Sequence, residues 1–166
     1  KFFEIVAKET EIAMQVCTAG NLRTTILCAE MAKKHNVFER FLIATDTPTG
    51  SGIMPLGMIY TISQIASLSN FEPELLIAAA TGNVSKCYGL NTGYLRSGYQ
   101  GDVVIIDAPL GGTKNDALNA LKNGDPCAIG GVITAGIPRF IGKSKNTPPT
   151  VSDVCVEKSE VREMFK

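Results

Sequence analysis

The sequence contains no tryptophan and a single histidine, His35, among its 166 residues. A metalloenzyme whose ligands are imidazoles needs more than one histidine. Ser–His nucleophilic chemistry also lacks support, because the sequence has no G-x-S-x-G motif and no second histidine. We therefore expect either that the protein uses no histidine chemistry or that its histidines lie on a segment outside this chain.

The chain also lacks net charge and long apolar runs. Sixteen Lys and Arg balance sixteen Asp and Glu, so electrostatics favour neither a nucleic acid nor an anionic membrane as a partner. The longest apolar run, residues 75–80, is far shorter than the roughly 18 residues that span a bilayer. We expect no membrane helix and, because residues 1–4 lead into further charges, no signal peptide. The first residue is Lys rather than Met, so we expect the natural start to lie upstream.

Cysteine is present but unpatterned. The sequence has an odd number of cysteines, which are widely spaced and form no CxxC pair: Cys17, Cys28, Cys87, Cys127 and Cys155. This excludes a zinc ribbon, a redox dithiol and a disulfide framework. The pattern predicts scattered, buried thiols in the reducing cytoplasm.

Apolar periodicity predicts a βαβ unit near the start of the chain. Residues 13–17 and 41–45 are short apolar runs typical of buried strands. Between them an amphipathic helix is predicted, which Asn21 caps and which ends near residues 35–36. Such a connection makes the two strands parallel. Three further helices are predicted at residues 56–67, 73–81 and 84–88, with Glu72 and Glu74 in the first turn of the second and Asn83 capping the third.

The second part of the chain is predicted to be rich in β-structure. Residues 102–107 read as a strand, 115–123 as a small helix before Gly124, and 128–134 and 138–141 as strands around a turn at residues 135–136. From residue 146 onward we expect an extended, poorly packed tail. We place a domain boundary near residue 95, giving parts 1–95 and 96–166. A two-stranded βαβ unit cannot form a covered parallel sheet alone, so we expect this chain to be the carboxyl-terminal part of a larger fold.

Asp46 is the strongest candidate for chemistry. It follows a buried strand and opens a polar loop, and catalytic groups of parallel α/β folds gather at the carboxyl ends of strands. Its carboxylate there is suited to metal binding and proton transfer, although it is equally suited to capping the turn before Pro48.

Other polar residues carry weaker signals. The segment Gly50-Ser51-Gly52 is a candidate anion cradle before a helix, but an ordinary flexible loop is the favoured interpretation. Thr47, Thr49 and Ser51 are candidate substrate contacts or ordinary turn residues. We expect His35, with Lys33 and Lys34, to lie on the solvated end of its helix, where cations complement the helix dipole.

Several blocks in order resemble the carboxyl-terminal portion of metal-dependent amidohydrolases. They are IATDTPTG at residues 43–50, AATGN at 79–83, YGL at 88–90, and the glycine-punctuated segment at 93–107 that ends in GDVVIID. The resemblance extends from about residue 10 to residue 150. Within the family, residues 50–57, 107–125 and 143–149 are similar to members that open cyclic enamides.

The resemblance implies an α/β fold. The chain would supply the last two strands and helices of a (β/α)8 TIM barrel, over residues 1–95, and part of a small β-sandwich, over residues 96–166. It implies a divalent metal, zinc and/or iron, whose other ligands lie outside this chain. Asp46 would be the catalytic acid/base and a metal ligand.

It further implies a cyclic amide substrate, 6-oxo-1,4,5,6-tetrahydronicotinate, which would be opened to 2-formylglutarate with release of ammonia. The intact enzyme would be a cytoplasmic homo-oligomer, a tetramer in its relatives, without nucleic-acid or membrane partners. Alone, the chain would expose an apolar barrel edge, aggregate, bind metal weakly and be inactive.

Two alternatives remain. In the first, the chain belongs to another cyclic amidase or imidase of the same family and the substrate is a different cyclic amide or imide. The chain is also compatible with a non-catalytic α/β module that binds a partner or ligand. A nucleotide-binding domain is disfavoured, because residues 17–21 lack a glycine-rich turn after the first strand.

Overall fold

The computed structural model describes residues 1–17, 21–47 and 55–155. The chain is mixed α/β, as the sequence predicts, and these residues form one parallel and one antiparallel sheet. None of the described helices is long and apolar enough to cross a membrane. The helices and strands are α1 (Phe2–Glu9), β1 (Met14–Cys17), α2 (Leu22–Lys34), β2 (Phe41–Ala44), α3 (Gly57–Ser67), α4 (Pro73–Ala80), α5 (Gly82–Tyr88), β3 (Val103–Asp107), α6 (Ala117–Asn123), β4 (Ala128–Thr134) and β5 (Ile137–Ile141), with a 3-10 turn at Phe38–Arg40.

The predicted βαβ unit is confirmed. Strands β1 and β2 pair in parallel, with Met14 opposite Phe41 and Cys17 opposite Ala44. The side chain of Asn21 caps α2 by accepting the N–H of Thr24 at 3.0 Å. The run from Phe41 to Ile43 is buried because helices pack against the strand, which explains why its sequence is continuously apolar.

Helix α1 was not predicted from the sequence. It precedes β1, and the guanidinium of Arg40 ties its carboxyl end to the start of the sheet. Arg40 donates Nη2–H to the carbonyl of Ala7 at 2.8 Å, and Nη1–H to the carbonyls of Thr10 and, at 3.4 Å, Ile12. One cation therefore satisfies carbonyls that the end of the helix leaves without helical partners.

Arg40→Met should loosen this connection selectively. Because the variant leaves several carbonyls without their charged donor, we expect the free energy of unfolding to fall by about 1–3 kcal/mol. Amide hydrogen exchange should accelerate over residues 2–12. Arg23→Met, on the exposed surface of α2, is the matched control and should change neither quantity. Equal exchange in α1 for the two variants would contradict the assigned role.

Helices α3 and α4 cover the parallel sheet. Ile65 of α3 and Leu76 of α4 are fully buried in one core with Phe41 of β2. Helix α5 ends where Gly89 adopts a left-handed backbone (φ 64°), as the sequence predicts. The predicted cap of α5 by Asn83 is wrong. Asn83 lies within the helix, and its side chain bonds instead to the segment that leads into β2.

The predicted hairpin is confirmed in the second sheet, in which β3, β4 and β5 pair antiparallel in that order. Ala135 (φ 53°) and Gly136 (φ 75°) both have left-handed backbones between β4 and β5. Two consecutive positive φ angles are typical of the turn that matches the twist of a two-stranded hairpin. The side chains of Val104 and Ile105 on the outer strand β3 stay exposed.

Helix α6 joins the two parts of the chain. Its Leu121 is buried in the same core as Ile65 of α3. The ammonium of Lys122 donates to the carbonyls of Ser69 at 3.2 Å and Phe71 at 2.7 Å, just beyond the end of α3. The domain boundary near residue 95 stays a prediction, and this contact crosses it.

The expectation of a poorly packed tail is wrong for residues 147–150, whereas most of residues 151–155 are exposed. Thr147 and Thr150 are buried, and Thr150 forms a β-bridge with Pro109. The carboxylate of Asp107 accepts the N–H of Ser152 at 2.7 Å and that of Ala108 at 2.7 Å. These bonds to the charged form, with that of Ser152 foremost, hold the pKa of Asp107 below its usual value of 3.8.

Acid should therefore release the tail at Asp107. A carboxyl whose pKa is lowered by folding stabilises the folded state above its unfolded pKa, and the stabilisation is lost as the pH falls through the folded value. We expect the amide resonance of Ser152 to titrate below pH 3.8, together with the Asp107 carboxyl. Asp107→Asn should abolish that titration and increase exchange of the Ser152 amide at neutral pH. A Ser152 amide that titrates identically in this variant would show that another group holds the tail.

The prediction of buried thiols is correct for only some of the cysteines. Cys28 and Cys127 are buried, and loss of hydration raises the pKa of each thiol to about 11. Cys17 is half-buried, whereas Cys87 and Cys155 are exposed. All five are free, as the sequence predicts.

Candidate active site at the carboxyl edge of the parallel strands

Asp46 lies at the carboxyl edge of the parallel sheet. It follows the last residue of β2, Ala44, by two positions, and its carboxylate-bearing side chain is exposed. Its backbone is left-handed (φ 55°), a conformation that Asp and Asn adopt more readily than most residues. The strand therefore ends at a turn that presents a carboxylate at the edge where parallel α/β folds place their chemistry.

The neighbouring strand ends at the same edge. Cys17, the last residue of β1, lies opposite Ala44. Met14 and Val16 pack into the core with the helices, so alternation along the strand puts Gln15 and Cys17 on the other face. A half-buried thiol thus lies on the same face of β1 as Gln15, at the edge that carries Asp46.

Buried Thr25 holds the backbone at the end of β1. Its hydroxyl lies 3.4 Å from the carbonyl oxygen of Cys17 and 3.3 Å from that of Asn21, and it can donate to either. The start of α2 is thereby fastened to the end of β1, immediately before the polar edge of the sheet. This contact was not predicted from the sequence, where Thr25 reads only as part of the helix's buried side.

Asn83 anchors the opposite, amino end of β2. Its side-chain amide donates to the carbonyls of Phe38 at 2.8 Å and Phe41 at 3.1 Å. At the end of the same helix, the hydroxyl of Tyr88 donates to the side-chain oxygen of Gln15 at 3.1 Å. Helix α5 therefore bonds to the start of β2 through Asn83 and to Gln15 of β1 through Tyr88, and sequence analysis missed this function of Asn83.

His35 lies away from Asp46. It follows α2, whose carboxyl end comes before β2, so the histidine is at the amino edge of the sheet. Its side chain is 19% exposed, with Nε2 buried 3.9 Å from a carboxylate oxygen of Glu4. The expected surface position therefore holds only in part for His35, whereas Lys33 and Lys34 are exposed as predicted. Lys34 forms an ion pair with Glu4 at 3.0 Å, and Lys33 lies 5.0 Å from the centre of the Phe71 ring.

The candidate loop after Asp46 is described only in part. Thr47 is exposed directly after the carboxylate. Thr49, Gly50, Ser51 and Gly52 lie outside the described residues. Their proposed contacts with an anion or substrate stay predictions.

The described residues offer too few donors for the metal that the resemblance implies. Within residues 1–17, 21–47 and 55–155, no group of three or more His, Cys, Asp or Glu is placed to hold a metal ion. A catalytic zinc needs about three protein ligands. Asp46 alone does not meet that requirement, so the described residues do not form a complete metal site.

A cavity of about 340 Å³ opens between helices α4 and α5 and the outer sheet. The lining is mainly apolar and comes from α4, α5 and the segment after it, and from β3 and β4. Its polar side chains are those of Thr81, Ser85, Thr92, Asp102 and Thr134. Ser85 already donates to the carbonyls of Leu90, at 2.9 Å, and Thr92. The cavity does not include Asp46, and its polar groups serve internal bonds.

Comparison with known proteins identifies the family. The model of the amidohydrolase family matches residues 3–138. The chain belongs to the amidohydrolase family. Members of this family are generally metal-dependent hydrolases.

Individual relatives agree with this assignment. The chain is 38% identical over 144 residues to enamidase of Eubacterium barkeri, covering 87% of this chain and 37% of that protein. It is 31% identical over 116 residues to 5-methylthioadenosine/S-adenosylhomocysteine deaminase 1 of Archaeoglobus fulgidus, covering 63% of this chain and 26% of the deaminase. The crystal structure of enamidase matches with a TM-score of 0.86 and 36% identity, over 92% of this chain and 39% of that one.

The chain thus spans less than two fifths of the length of these amidohydrolases. The expected resemblance is confirmed at the level of family and of mixed α/β fold. Asp46 as catalytic and metal-binding residue, and the substrate, stay predictions.

Proposed function

We propose that this chain is the carboxyl-terminal part of an amidohydrolase that opens a cyclic enamide, with Asp46 as its proton-transferring carboxylate. The observation that carries the proposal is the position of Asp46. It ends a parallel strand in a left-handed turn, in a chain whose fold matches enamidase with a TM-score of 0.86. Identity of 36–38% to enamidase favours its reaction over others of the family.

The architecture supports the proposal that the chain is part of a larger barrel. β1 and β2 pair only with each other among the described residues, and the outer strand β3 leaves apolar side chains exposed. In our proposal β1 and β2 are the last two strands of a (β/α)8 barrel, within residues 1–95. Strands β3, β4 and β5 then belong to a β-sandwich within residues 96–166.

Asp46 has two proton-transfer steps in the proposed reaction. Its carboxylate accepts a proton as water attacks the ring amide carbonyl, and returns it to the nitrogen as the C–N bond breaks. In our proposal Asp46 would help to hold zinc and/or iron, whose other ligands lie outside this chain, and that metal would supply Lewis-acid activation. A second water then converts the released enamine to an aldehyde and ammonia, so 6-oxo-1,4,5,6-tetrahydronicotinate and two waters give 2-formylglutarate and ammonium.

Product analysis tests this proposal. The complete enzyme, carrying residues upstream of Lys1, is incubated with 6-oxo-1,4,5,6-tetrahydronicotinate, and ammonia and 2-formylglutarate are quantified together. Equimolar formation of both supports the proposal. Turnover of saturated cyclic amides or imides without turnover of the enamide would assign a different substrate of the same family. Failure to hydrolyse any cyclic amide by a folded, metal-loaded enzyme would favour a binding module.

A further inference from the structure

We propose that His35 and Glu4 form a pH-sensitive contact, which holds helix α1 against the end of α2 more tightly when the imidazole is protonated. The contact lies at the amino edge of the parallel sheet, so the proposal does not rest on Asp46 or on the proposed reaction. Its basis is a buried imidazole nitrogen that lies close to a carboxylate without a hydrogen bond to it.

The neutral imidazole leaves this contact incomplete. Nε2 of His35 is buried, has no hydrogen-bond partner among the described residues, and lies 3.9 Å from Oε1 of Glu4. That distance is too long for a hydrogen bond. Without a proton, Nε2 presents a lone pair to the carboxylate, and with one, its N–H stops short of the acceptor. Buried polar atoms are usually hydrogen-bonded in folded proteins, so the neutral pair is an unfavourable arrangement.

Protonation completes the contact. Both ring nitrogens of an imidazolium are donors, so Nε2–H can then donate to the Glu4 carboxylate, which carries the opposite charge. A charge-assisted N–H···O bond is about 2.8 Å long, so the two side chains need to approach by only about 1 Å. The side chain of Glu4 is 43% exposed and can make this adjustment without disturbing the core. The same exposure keeps the expected effect small.

Lys34 keeps Glu4 charged over the relevant pH range. Its ammonium donates to Oε1 of Glu4 at 3.0 Å, and this bond and charge hold the pKa of the carboxyl below its ordinary value of 4.5. The amino group of Lys1 adds a smaller effect in the same direction. Histidines change charge between about pH 5 and 8, where Glu4 is therefore ionised. A carboxylate can accept more than one bond, so Lys34 and His35 can share it.

Further charged groups lie on the elements around this contact. They are Lys8 and Glu9 of α1, Lys33 of α2, and Glu39 and Arg40 of the 3-10 turn. Lys8 and Glu9 pair with each other at 3.2 Å. Lys33 lies over the ring of Phe71, Arg40 bonds to carbonyls at the end of α1, and Glu39 is exposed. Glu4 is thus the carboxylate that the described structure places against Nε2 of His35.

The contact therefore tightens as the pH falls through the histidine range. Docked α1 favours the protonated imidazole, so proton uptake stabilises the docked helix, and this stabilisation is lost as the pH rises again. At a pH below the lowered pKa of Glu4, the carboxyl loses its charge and the contact weakens. Because α1 leads into β1, the contact acts on the segment that precedes the parallel sheet.

Hydrogen exchange of residues 2–9 in the complete enzyme tests the proposal, at about pH 5.5 and about pH 8. The rate in His35→Gln is divided by the parent rate at the same pH, which removes the intrinsic pH dependence of exchange. We expect this ratio to be about 2–5-fold higher at the lower pH, the size expected for a partly exposed ion pair that only the parent protein forms. The same ratio at both pH values would overturn the proposal.

Two further variants separate His35 from the permanent charges and serve if His35→Gln fails to fold. Glu4→Gln keeps the shape of the side chain but removes its charge, so its ratio to the parent should also be about 2–5-fold higher at the lower pH. Lys34→Met removes the permanent ion pair, so its ratio should be raised nearly equally at both pH values. A Glu4→Gln ratio that does not change with pH would overturn the proposed contact.

Discussion

Asp46→Asn in the complete enzyme is expected to lower kcat by about 10²–10⁴-fold, because the amide can neither accept nor return a proton. The fold should be unchanged. Asn has nearly the same shape as Asp and tolerates the left-handed backbone that residue 46 adopts, at φ 55°. Turnover of the cyclic enamide and far-ultraviolet circular dichroism of the same preparation are the two measurements.

The control for this variant is Asp153→Asn. Asp153 is an exposed carboxylate in the segment after β5, so its replacement makes the same chemical change far along the chain from the sheet edge. We expect parental turnover from it. An Asp46→Asn enzyme that keeps more than about a tenth of parental kcat would remove Asp46 from the chemistry, since general acid–base groups contribute at least about 10²-fold.

Leu76→Ala is expected to be the most destabilising of the proposed changes. The leucine is 0% exposed in α4, in the core that α3 and β2 share. Truncation leaves a cavity where several elements meet, and such changes lower the free energy of unfolding by about 2–5 kcal/mol. Urea unfolding followed by circular dichroism measures the shift.

The preceding residue provides a matched control. Leu75 has the same side chain in the same helix but is 39% exposed. Leu75→Ala makes the same change in helix propensity without creating a buried cavity, so we expect a loss below about 1 kcal/mol. Similar unfolding midpoints for the two variants would show that α4 does not pack on the sheet as described.

Local patterns predicted most of the elements. The apolar run before Asp46 became β2, and its continuous burial leaves a continuous apolar sequence. The run before Asn21 became β1, in which Met14 is buried and Gln15 is exposed. The hairpin was predictable because Ala135-Gly136 separates two apolar runs. Helix α1 was missed. Its eight residues give a short signal, and Arg40, which holds it, lies about thirty residues away.

Long-range contacts account for the other errors. Asn83 follows Thr-Gly and therefore resembles a helix cap, but its partners lie 42 and 45 residues earlier in the chain. The tail looked unpacked because it is polar, whereas Thr147 and Thr150 are buried and Asp107 bonds to Ser152. Neither relation is visible from spacing along the sequence.

Of the candidate site, the sequence predicted only the carboxylate that follows β2. Asp46 follows an apolar run, and that position alone indicates a carboxyl edge. The register that puts Cys17 beside this edge, and the anchoring of both strands by α5, needed the structure. The sequence offers no further imidazole for the proposed metal, because it has no second histidine.

Hydrolysis of 6-oxo-1,4,5,6-tetrahydronicotinate by the complete enzyme, compared between the parent and Asp46→Asn at equal metal content, tests the central claim most directly. The account predicts one ammonia per ring opened by the parent protein and almost none by the variant. Ring opening at equal rates by both proteins would contradict the assigned role of Asp46. A parent protein that is folded and metal-loaded but leaves the ring intact would contradict the proposed reaction.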